Sequence, residues 1–303
     1  MSKANIIDFE NRLQKIDKEL FLALEEEKNH FSFRVNLLKS NKQEVLELLN
    51  KEGFFPKEVD FYKNAFILPI SDRKTIIKSS AYTQNKIYIQ NLSSIFAALK
   101  LEAKSSDWVL DLAAAPGGKS LIFSEVAKKV SAVEPNKSRF FRMKRNFKEH
   151  GAKNIISFNK DGRFVYKATG AMFDKVFLDA PCSSEAHIDL KKGITWWNLK
   201  RIKRFSKLQK ELIISAFEAL KPGGEMIYAT CTFAPEENEE TVDFLLKKYE
   251  NAKLIEIEHN LKNAKSALLE FEGKKFNDEL KKALRIIPKD AFSGFFLAKI
   301  KKS

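Results

Sequence analysis

The chain contains two cysteines, and each follows an apolar stretch that is typical of a buried strand. Cys182 stands in Asp179-Ala-Pro-Cys-Ser, and Cys231 stands in Thr230-Cys-Thr-Phe. A free cysteine is usually a small buried hydrophobic side chain. A thiolate is also a strong nucleophile when cations or helix N-termini lower its pKa, and Lys119 and the helices that follow the cysteines could supply that field. The pattern predicts either packing or covalent catalysis.

A loop of small residues precedes a predicted helix that begins at Lys119. The loop consists of Ala113, Ala114, Ala115, Pro116, Gly117 and Gly118. A strand, a tight turn and a helix N-terminus form the geometry with which open α/β sheets hold nucleotide-like ligands. Because the stretch ends in Gly-Lys-Ser, and because residues 176–179 could form a Mg²⁺-binding strand, a phosphate-binding loop of an NTPase is an alternative. A helix-start turn without a ligand is another.

Acidic residues follow the predicted strands. Glu134 lies about 20 residues past the glycine turn, where an acid can accept hydrogen bonds from ribose hydroxyls. Asp161 ends the next strand, where an adenine amino group would need an acceptor, and Asp179 ends the one after it. A surface acid and a turn aspartate are the plain alternatives for Glu134 and Asp161. Acids along one sheet edge favour a Rossmann-like cofactor site over an NTPase.

Alternating strands and helices predict how these residues are positioned. Seven strands are expected, at 107–113, 130–135, 155–158, 173–179, 225–230, 254–258 and 292–301. The alternation is typical of an α/β fold: a mixed, mostly parallel seven-stranded sheet with helices on both faces. A helix or helix pair at 5–28 and a small α+β module at about 30–75 precede it. We predict an N-terminal domain over 1–100 and a larger α/β domain over 101–303.

The composition of the chain restricts the kinds of partner and the cellular compartment that we expect for the protein. The 303 residues carry 54 Lys and Arg against 40 Asp and Glu, a net charge of +14, which favours a polyanionic partner such as nucleic acid. No apolar run approaches the ~18 residues of a membrane span. The cysteines are far apart and lack a Cys-x-x-Cys spacing, which predicts no metal site and no disulfide framework. We expect a cytoplasmic monomer, with a mobile insertion at 258–281.

A basic stretch with two tryptophans suits an RNA surface. Residues 191–210 contain eight Lys or Arg and no acid, and they include Trp196 and Trp197. Phosphate contacts from side chains such as Lys200 and Arg204, with stacking on the indoles, would bind RNA. A solvated helix face that tryptophans anchor to the core is the alternative.

The motifs together resemble those of the NOL1/NOP2/Sun-type RNA cytosine-5 methyltransferases. The resemblance rests on residues 111–120, 179–183 and 222–238, with Arg34-Val-Asn, residues 88–94 and residues 294–299 in support, and it spans about 30 to 301. Ser184-Glu185 stands where the family often has Gly, and Ala229 and Thr232 stand where Ser is frequent.

The resemblance implies a mechanism. S-adenosylmethionine would lie across residues 113–119, with Glu134 on its ribose and Asp161 on its adenine. Cys231 would attack carbon 6 of a cytosine in rRNA or tRNA, Asp179 would hydrogen-bond ring nitrogen 3, and Cys182 would help to eliminate the product. Lys119 and Asp179 would each serve both the cofactor and the chemistry, and Arg34 would contact RNA. Residues 1–100 would form the RNA-binding domain, and residues 101–303 would form the methyltransferase domain. The competing classes are a P-loop NTPase and a non-catalytic RNA-binding factor with a cofactor fold.

Overall fold

The computed structural model describes residues 3–192, 194 and 196–303, with Gly193 and Thr195 of the basic stretch outside that set. The helices are α1 Lys3–Ile16, α2 Glu19–Glu25, α3 Lys42–Lys51, α4 Ser80–Thr83, α5 Leu92–Leu99, α6 Gly118–Ser124, α7 Lys137–Glu149, α8 Val165–Thr169, α9 Leu199–Glu218 and α10 Glu239–Lys248. The strands are β1 His30–Val35, β2 Lys57–Val59, β3 Tyr62–Pro69, β4 Ile87–Ile89, β5 Trp108–Asp111, β6 Lys129–Val133, β7 Ile155–Phe158, β8 Phe173–Asp179, β9 Leu220–Thr230, β10 Ala252–Ile255, β11 Ala264–Ser266, β12 Glu270–Phe271, β13 Lys274–Lys275, β14 Leu284–Ile286 and β15 Phe295–Lys302.

The large sheet carries the site. Its strand order is β11-β14-β15-β9-β8-β5-β6-β7, with β10 paired to β15 outside this path. The strands β7, β6, β5, β8 and β9 are parallel, and β15 runs antiparallel to β9. Val109 and Leu110 of β5 are both fully buried, because helices cover both faces of a parallel sheet. The predicted Rossmann-like fold is confirmed.

The sheet has nine strands, so the predicted number of seven is wrong. The predicted strand at 254–258 is β10, which pairs with the C-terminal half of β15 through Leu254 and Ile300. The N-terminal half of β15 pairs instead with β14, and β11 adds a further strand beyond β14. Both additional strands are three residues long. Their hydrophobic pattern is too short to be recognised in a charged segment.

The segment 258–281 is not the mobile insertion that its composition suggested. Ala267, Phe271, Phe276 and Leu280 are buried in the main hydrophobic core cluster. A β12–β13 hairpin joins Phe271 to Lys274. Widely spaced apolar residues each pack into the core cluster of the large sheet, which explains why no regular period is visible in the sequence.

The small module is a separate four-stranded antiparallel sheet with strand order β2-β3-β1-β4 and its own hydrophobic cluster. Its helix α3 begins where expected, since Asn41 Oδ1 accepts a hydrogen bond from the backbone N–H of Glu44. The N-terminal helices α1 and α2 pack elsewhere: Phe9 and Leu13 belong to the core cluster of the large sheet, and Phe9 meets Trp197 edge to face. The predicted boundary at residue 100 stays a prediction.

Candidate active site

The two cysteines meet at the carboxyl edge of the large sheet. Strands β8 and β9 are parallel neighbours with Asp179 opposite Ala229, so the loops that follow them leave the sheet side by side. In these loops Cys182 Sγ lies 3.3 Å from Cys231 Sγ. Cys182 is buried and Cys231 is partly exposed, and both are free thiols. The expectation that both sulfurs lie at one sheet edge agrees with this geometry.

The two thiols have opposite acidities. The hydrogen bond from Cys182 and the neighbouring His187 lower the pKa of Cys231 to about 5. The same hydrogen bond and burial raise the pKa of Cys182 well above its ordinary value. At neutral pH, therefore, Cys231 is the thiolate and Cys182 is the thiol that donates to it. His187 was missed in the sequence because a single histidine in a charged stretch carries no motif.

Lys119 and Asp179 form an ion pair beside these sulfurs. Lys119 is in the first turn of α6, and its Nζ donates to Asp179 Oδ2 at 2.6 Å. Burial opposes the charged form of Lys119, but the Asp179 carboxylate outweighs it and raises the pKa of the ammonium. The cation also lies over the rings of Phe177 and Phe295. Lys119 is a charged donor held at the point where β5 and β8 end.

Residues 113–116 and Gly118 of the loop line a cavity with Lys119, Asp179 and Asp111. Asp111 ends β5, and its Oδ2 accepts a hydrogen bond from Ser120. Its Oδ1 is buried and has no protein partner among the described residues. Burial raises the pKa of Asp111 to about 7. The Asp111 carboxyl oxygen without a partner, beside a loop of small residues, fits a ligand that carries a hydrogen-bond donor and a positive charge.

The two glycines of the loop are required by packing. Gly117 has φ +106°, and a Cβ there would lie 2.6 Å from the Phe147 ring. A Cβ on Gly118 would lie 2.8 Å from the ring of Tyr88, which itself lines the cavity. The loop is thus pressed between α7 and the small module, and side chains larger than hydrogen are excluded.

Glu134 and Asp161 lie at the same sheet edge but outside the residues that line this cavity. Glu134 is buried, and its carboxylate accepts a hydrogen bond from the Asn136 N–H at 2.9 Å and lies near Arg139. Asp161 binds Arg163 through a 2.7 Å contact, and this hydrogen bond lowers the pKa of Asp161. Their predicted roles on ribose and adenine stay predictions.

Two residues predicted to contact RNA are in fact buried. Arg34 is fully buried: it pairs with Glu125 at 2.5 Å and donates to the carbonyl of Gly118. Trp197 is 8% exposed, and its Nε1 donates to Glu185 at 2.6 Å. Both predictions are wrong because each side chain has found a buried acid. Arg34 instead joins the small module to the helix after the glycine loop.

The remaining predicted RNA contacts are accessible. Lys200 and Arg204 are exposed on α9, and Trp196 is partly buried beneath the guanidinium of Arg201. Lys191 and Lys192 of the same stretch are each paired with an acid. The exposed side chains of Lys200 and Arg204 therefore lie on the N-terminal part of α9.

None of the described helices is long and apolar enough to cross a membrane. Within the same part of the chain, no group of three or more His, Cys, Asp and Glu side chains is arranged to hold a metal ion.

Comparison with known proteins identifies related sequences along nearly the whole chain. The family model described as 16S rRNA methyltransferase RsmB/F matches residues 98–301. The tRNA (cytosine(49)-C(5))-methyltransferase of Pyrococcus abyssi is 32% identical, over 98% of this chain and 99% of that protein. The ribosomal RNA small subunit methyltransferase F of Vibrio parahaemolyticus is 33% identical over 89% of this chain, which spans 56% of that protein.

Solved structures support the same grouping. A methyltransferase homolog from Pyrococcus horikoshii superposes with a TM-score of 0.82 at 31% identity, covering 94% of this chain and 90% of that one. NSun6 from Pyrococcus horikoshii, solved with SFG, has a TM-score of 0.79 at 23% identity, covering 95% and 96% of the two chains. The latter identity shows a shared fold.

Proposed function

Because the chain belongs to the RsmB/F family of S-adenosylmethionine-dependent RNA cytosine-5 methyltransferases, we propose that it methylates a cytosine of rRNA or tRNA through a covalent adduct with Cys231. The observation that carries the proposal is the contact between a thiolate and a thiol 3.3 Å apart at the sheet edge, beside the Lys119–Asp179 ion pair. Hydrolysis of a nucleoside triphosphate gives such a pair of sulfurs no role, so this contact favours the methyltransferase over the NTPase alternative.

Carbon 5 of cytosine is a poor nucleophile, so the enzyme must first supply it with electrons. The Cys231 thiolate forms a bond to carbon 6, and the electron pair of the 5,6 double bond makes carbon 5 enamine-like. Covalent catalysis of this kind divides one difficult step into easier ones. S-adenosylmethionine supplies the electrophilic methyl group when it is bound. The low pKa of Cys231 keeps the nucleophile ionised at neutral pH.

Asp179, Lys119 and Cys182 act around this adduct. Attack of the thiolate on carbon 6 develops negative charge at ring nitrogen 3. A proton shared between that nitrogen and Asp179 offsets this negative charge. Lys119 Nζ, 2.6 Å from Asp179 Oδ2, is the neighbouring proton donor. After transfer, water accepts the proton of carbon 5, the electron pair of that carbon–hydrogen bond re-forms the 5,6 double bond, and the carbon–sulfur bond breaks so that its electron pair returns to Cys231. Cys182 assists this elimination.

The residues around the glycine loop fit the cofactor. The orphaned Asp111 Oδ1 and the small loop residues provide an acidic, shape-restricted wall for a cationic ligand. Glu134 and Asp161 extend this acidic edge towards β7, where an adenosine moiety would lie in an open α/β sheet. Reduced thiols at the site suit a cytosolic enzyme, and we propose that it acts as a monomer on unpaired or flipped cytosine.

The assignment of the nucleophile is tested by methyl transfer from radiolabelled S-adenosylmethionine to total RNA. Cys231→Ala removes the thiolate and is expected to abolish transfer, while calorimetry shows that cofactor binding persists. A Cys231→Ala protein that methylates at the normal rate would refute the assignment. Binding of ATP in preference to S-adenosylmethionine would instead favour the NTPase alternative.

A further inference from the structure

Glu185 is a buried acid between the two cysteine loops, and the mechanism above leaves it without a role. It lies three residues after Cys182, and its side chain is fully buried. Ser184, just before it, adopts φ +62°, a left-handed conformation that turns the chain back over the site.

The carboxylate of Glu185 binds donors from the opposite loop. Its Oε2 accepts hydrogen bonds from Thr232 Oγ1 at 2.8 Å and from the backbone N–H of Phe233 at 2.9 Å. Its Oε1 accepts from the indole of Trp197. Charge-assisted hydrogen bonds of this kind are about twice as strong as neutral ones. Through these hydrogen bonds, Glu185 holds Thr232 and Phe233, which follow Cys231, against the loop that contains Cys182.

Two further hydrogen bonds join the same two loops. The backbone N–H of Ala186 donates to the carbonyl oxygen of Cys231 at 3.1 Å. The hydroxyls of Ser183 and Thr232 lie 2.7 Å apart. No backbone ladder of the sheet reaches these loops, since β8 ends at Asp179 and β9 ends at Thr230. The separation of the sulfurs therefore depends on the Glu185 carboxylate together with the Ala186–Cys231 backbone bond and the Ser183–Thr232 contact.

We propose that Glu185 is a positioning residue for the methyl-transfer reaction: its carboxylate ties the Cys231 loop to the Cys182 loop and thereby holds the two sulfurs in hydrogen-bonding contact. This inference rests on the proposed function for its meaning, but the geometry it concerns is independent of RNA. The hydrogen bond from Cys182 is the largest cause of the low pKa of Cys231, so a looser bridge has a measurable chemical consequence. The charged groups that also act on the Cys231 sulfur are His187, Asp179 and Lys119.

The test is the pH dependence of Cys231 alkylation by iodoacetamide, read by mass spectrometry on the intact protein without RNA. Glu185→Gln keeps the size of the side chain but places an amide N–H₂ either against the indole N–H of Trp197 or against the Thr232 and Phe233 donors. If the pKa of Cys231 rises from about 5 to roughly 7, the thiolate fraction at pH 6 and the alkylation rate fall about tenfold. We also expect kcat to fall with KM for RNA unchanged.

Two other variants keep the proposal falsifiable. Thr232→Val removes the hydroxyl that joins Ser183 to Glu185 and should shift the alkylation profile in the same direction, by a smaller amount, even if Glu185→Gln does not fold. Asp107→Asn is the matched control, because Asp107 is also a buried acid but lies just before β5, at the opposite end of the sheet, where it accepts a hydrogen bond from the backbone N–H of Lys104 at 2.8 Å. It should lose stability with an unchanged alkylation profile.

Wild-type alkylation profiles in folded Glu185→Gln or Thr232→Val would overturn the positioning role. This outcome is distinguishable from failure of the proposed function, which is decided by methyl transfer in Cys231→Ala. A shift of equal size in Asp107→Asn would also overturn the proposal, since it would show that the loss of a buried acid far from the site disturbs the thiols as well.

Discussion

Replacing Arg34 by methionine tests whether this residue joins the domains or contacts RNA. The guanidinium and the Glu125 carboxylate are both nearly inaccessible to solvent, and their contact is 2.5 Å. Removing one partner of a buried ion pair costs about 3–5 kcal/mol, because the other charge remains buried. The carbonyl of Gly118 and the side chain of Gln90 also lose a donor. We therefore expect Arg34→Met to lose about 3–5 kcal/mol of the free energy of unfolding.

The measurement is urea unfolding, with RNA affinity measured as a function of salt on the folded variant. Burial raises the pKa of Glu125 while Arg34 opposes this rise, so the variant should raise that pKa further. A carboxyl group with a raised folded-state pKa favours the folded state at low pH, and this contribution is lost as pH rises. The deficit should thus be smaller at pH 5 than at pH 8. Unchanged stability with weaker RNA binding and a flatter salt dependence would refute the reasoning.

Three further predictions follow from other parts of the structure. Ser184→Gly should stabilise the fold by up to about 1 kcal/mol in urea unfolding, because glycine adopts the positive φ without strain, although its freer unfolded chain offsets part of the gain; a loss of stability would contradict this. The pair Lys200→Glu and Arg204→Glu should weaken RNA binding and reduce its salt dependence, and unchanged affinity would make α9 a plain solvated face. Burial raises the pKa of Glu237 to about 7, so the free energy of unfolding of the wild type should decline between about pH 4.5 and pH 7 more steeply than that of Glu237→Gln; parallel pH profiles would count against it.

The sequence was sufficient for the parts of the fold that rest on continuous apolar runs. Strands β7 and β8 occupy the predicted residues, and Asp179 ends β8 as expected. Because the carboxyl ends of parallel strands meet at one sheet edge, the approach of Cys182 and Cys231 could be inferred from strand order alone. The 3.3 Å contact between them could not, since it depends on side-chain hydrogen bonds between loops.

The mistaken predictions share one physical cause. Arg34 pairs with Glu125, 91 residues away, and Trp197 pairs with Glu185 rather than with a near neighbour in the sequence. Neither pair is therefore visible as a local pattern. Basic and aromatic residues look the same in the sequence whether their side chains contact RNA or pair with a buried carboxylate, so composition does not distinguish the two. The burial of Phe271 and Phe276 could not be predicted either. Isolated apolar residues in a charged segment show no hydrophobic period, and these two pack into a core formed by other parts of the chain.

The central claim is that the Cys231 sulfur, rather than that of Cys182, bonds to cytosine. The most direct measurement is denaturing electrophoresis of the Cys182→Ala protein after incubation with S-adenosylmethionine and substrate RNA, with Cys231→Ala and the double variant alongside. If Cys182 assists elimination, Cys182→Ala should accumulate a covalent protein–RNA complex that disappears in both proteins lacking Cys231. A covalent complex that forms in Cys231→Ala, or that maps to Cys182 in the wild type, would contradict the mechanism.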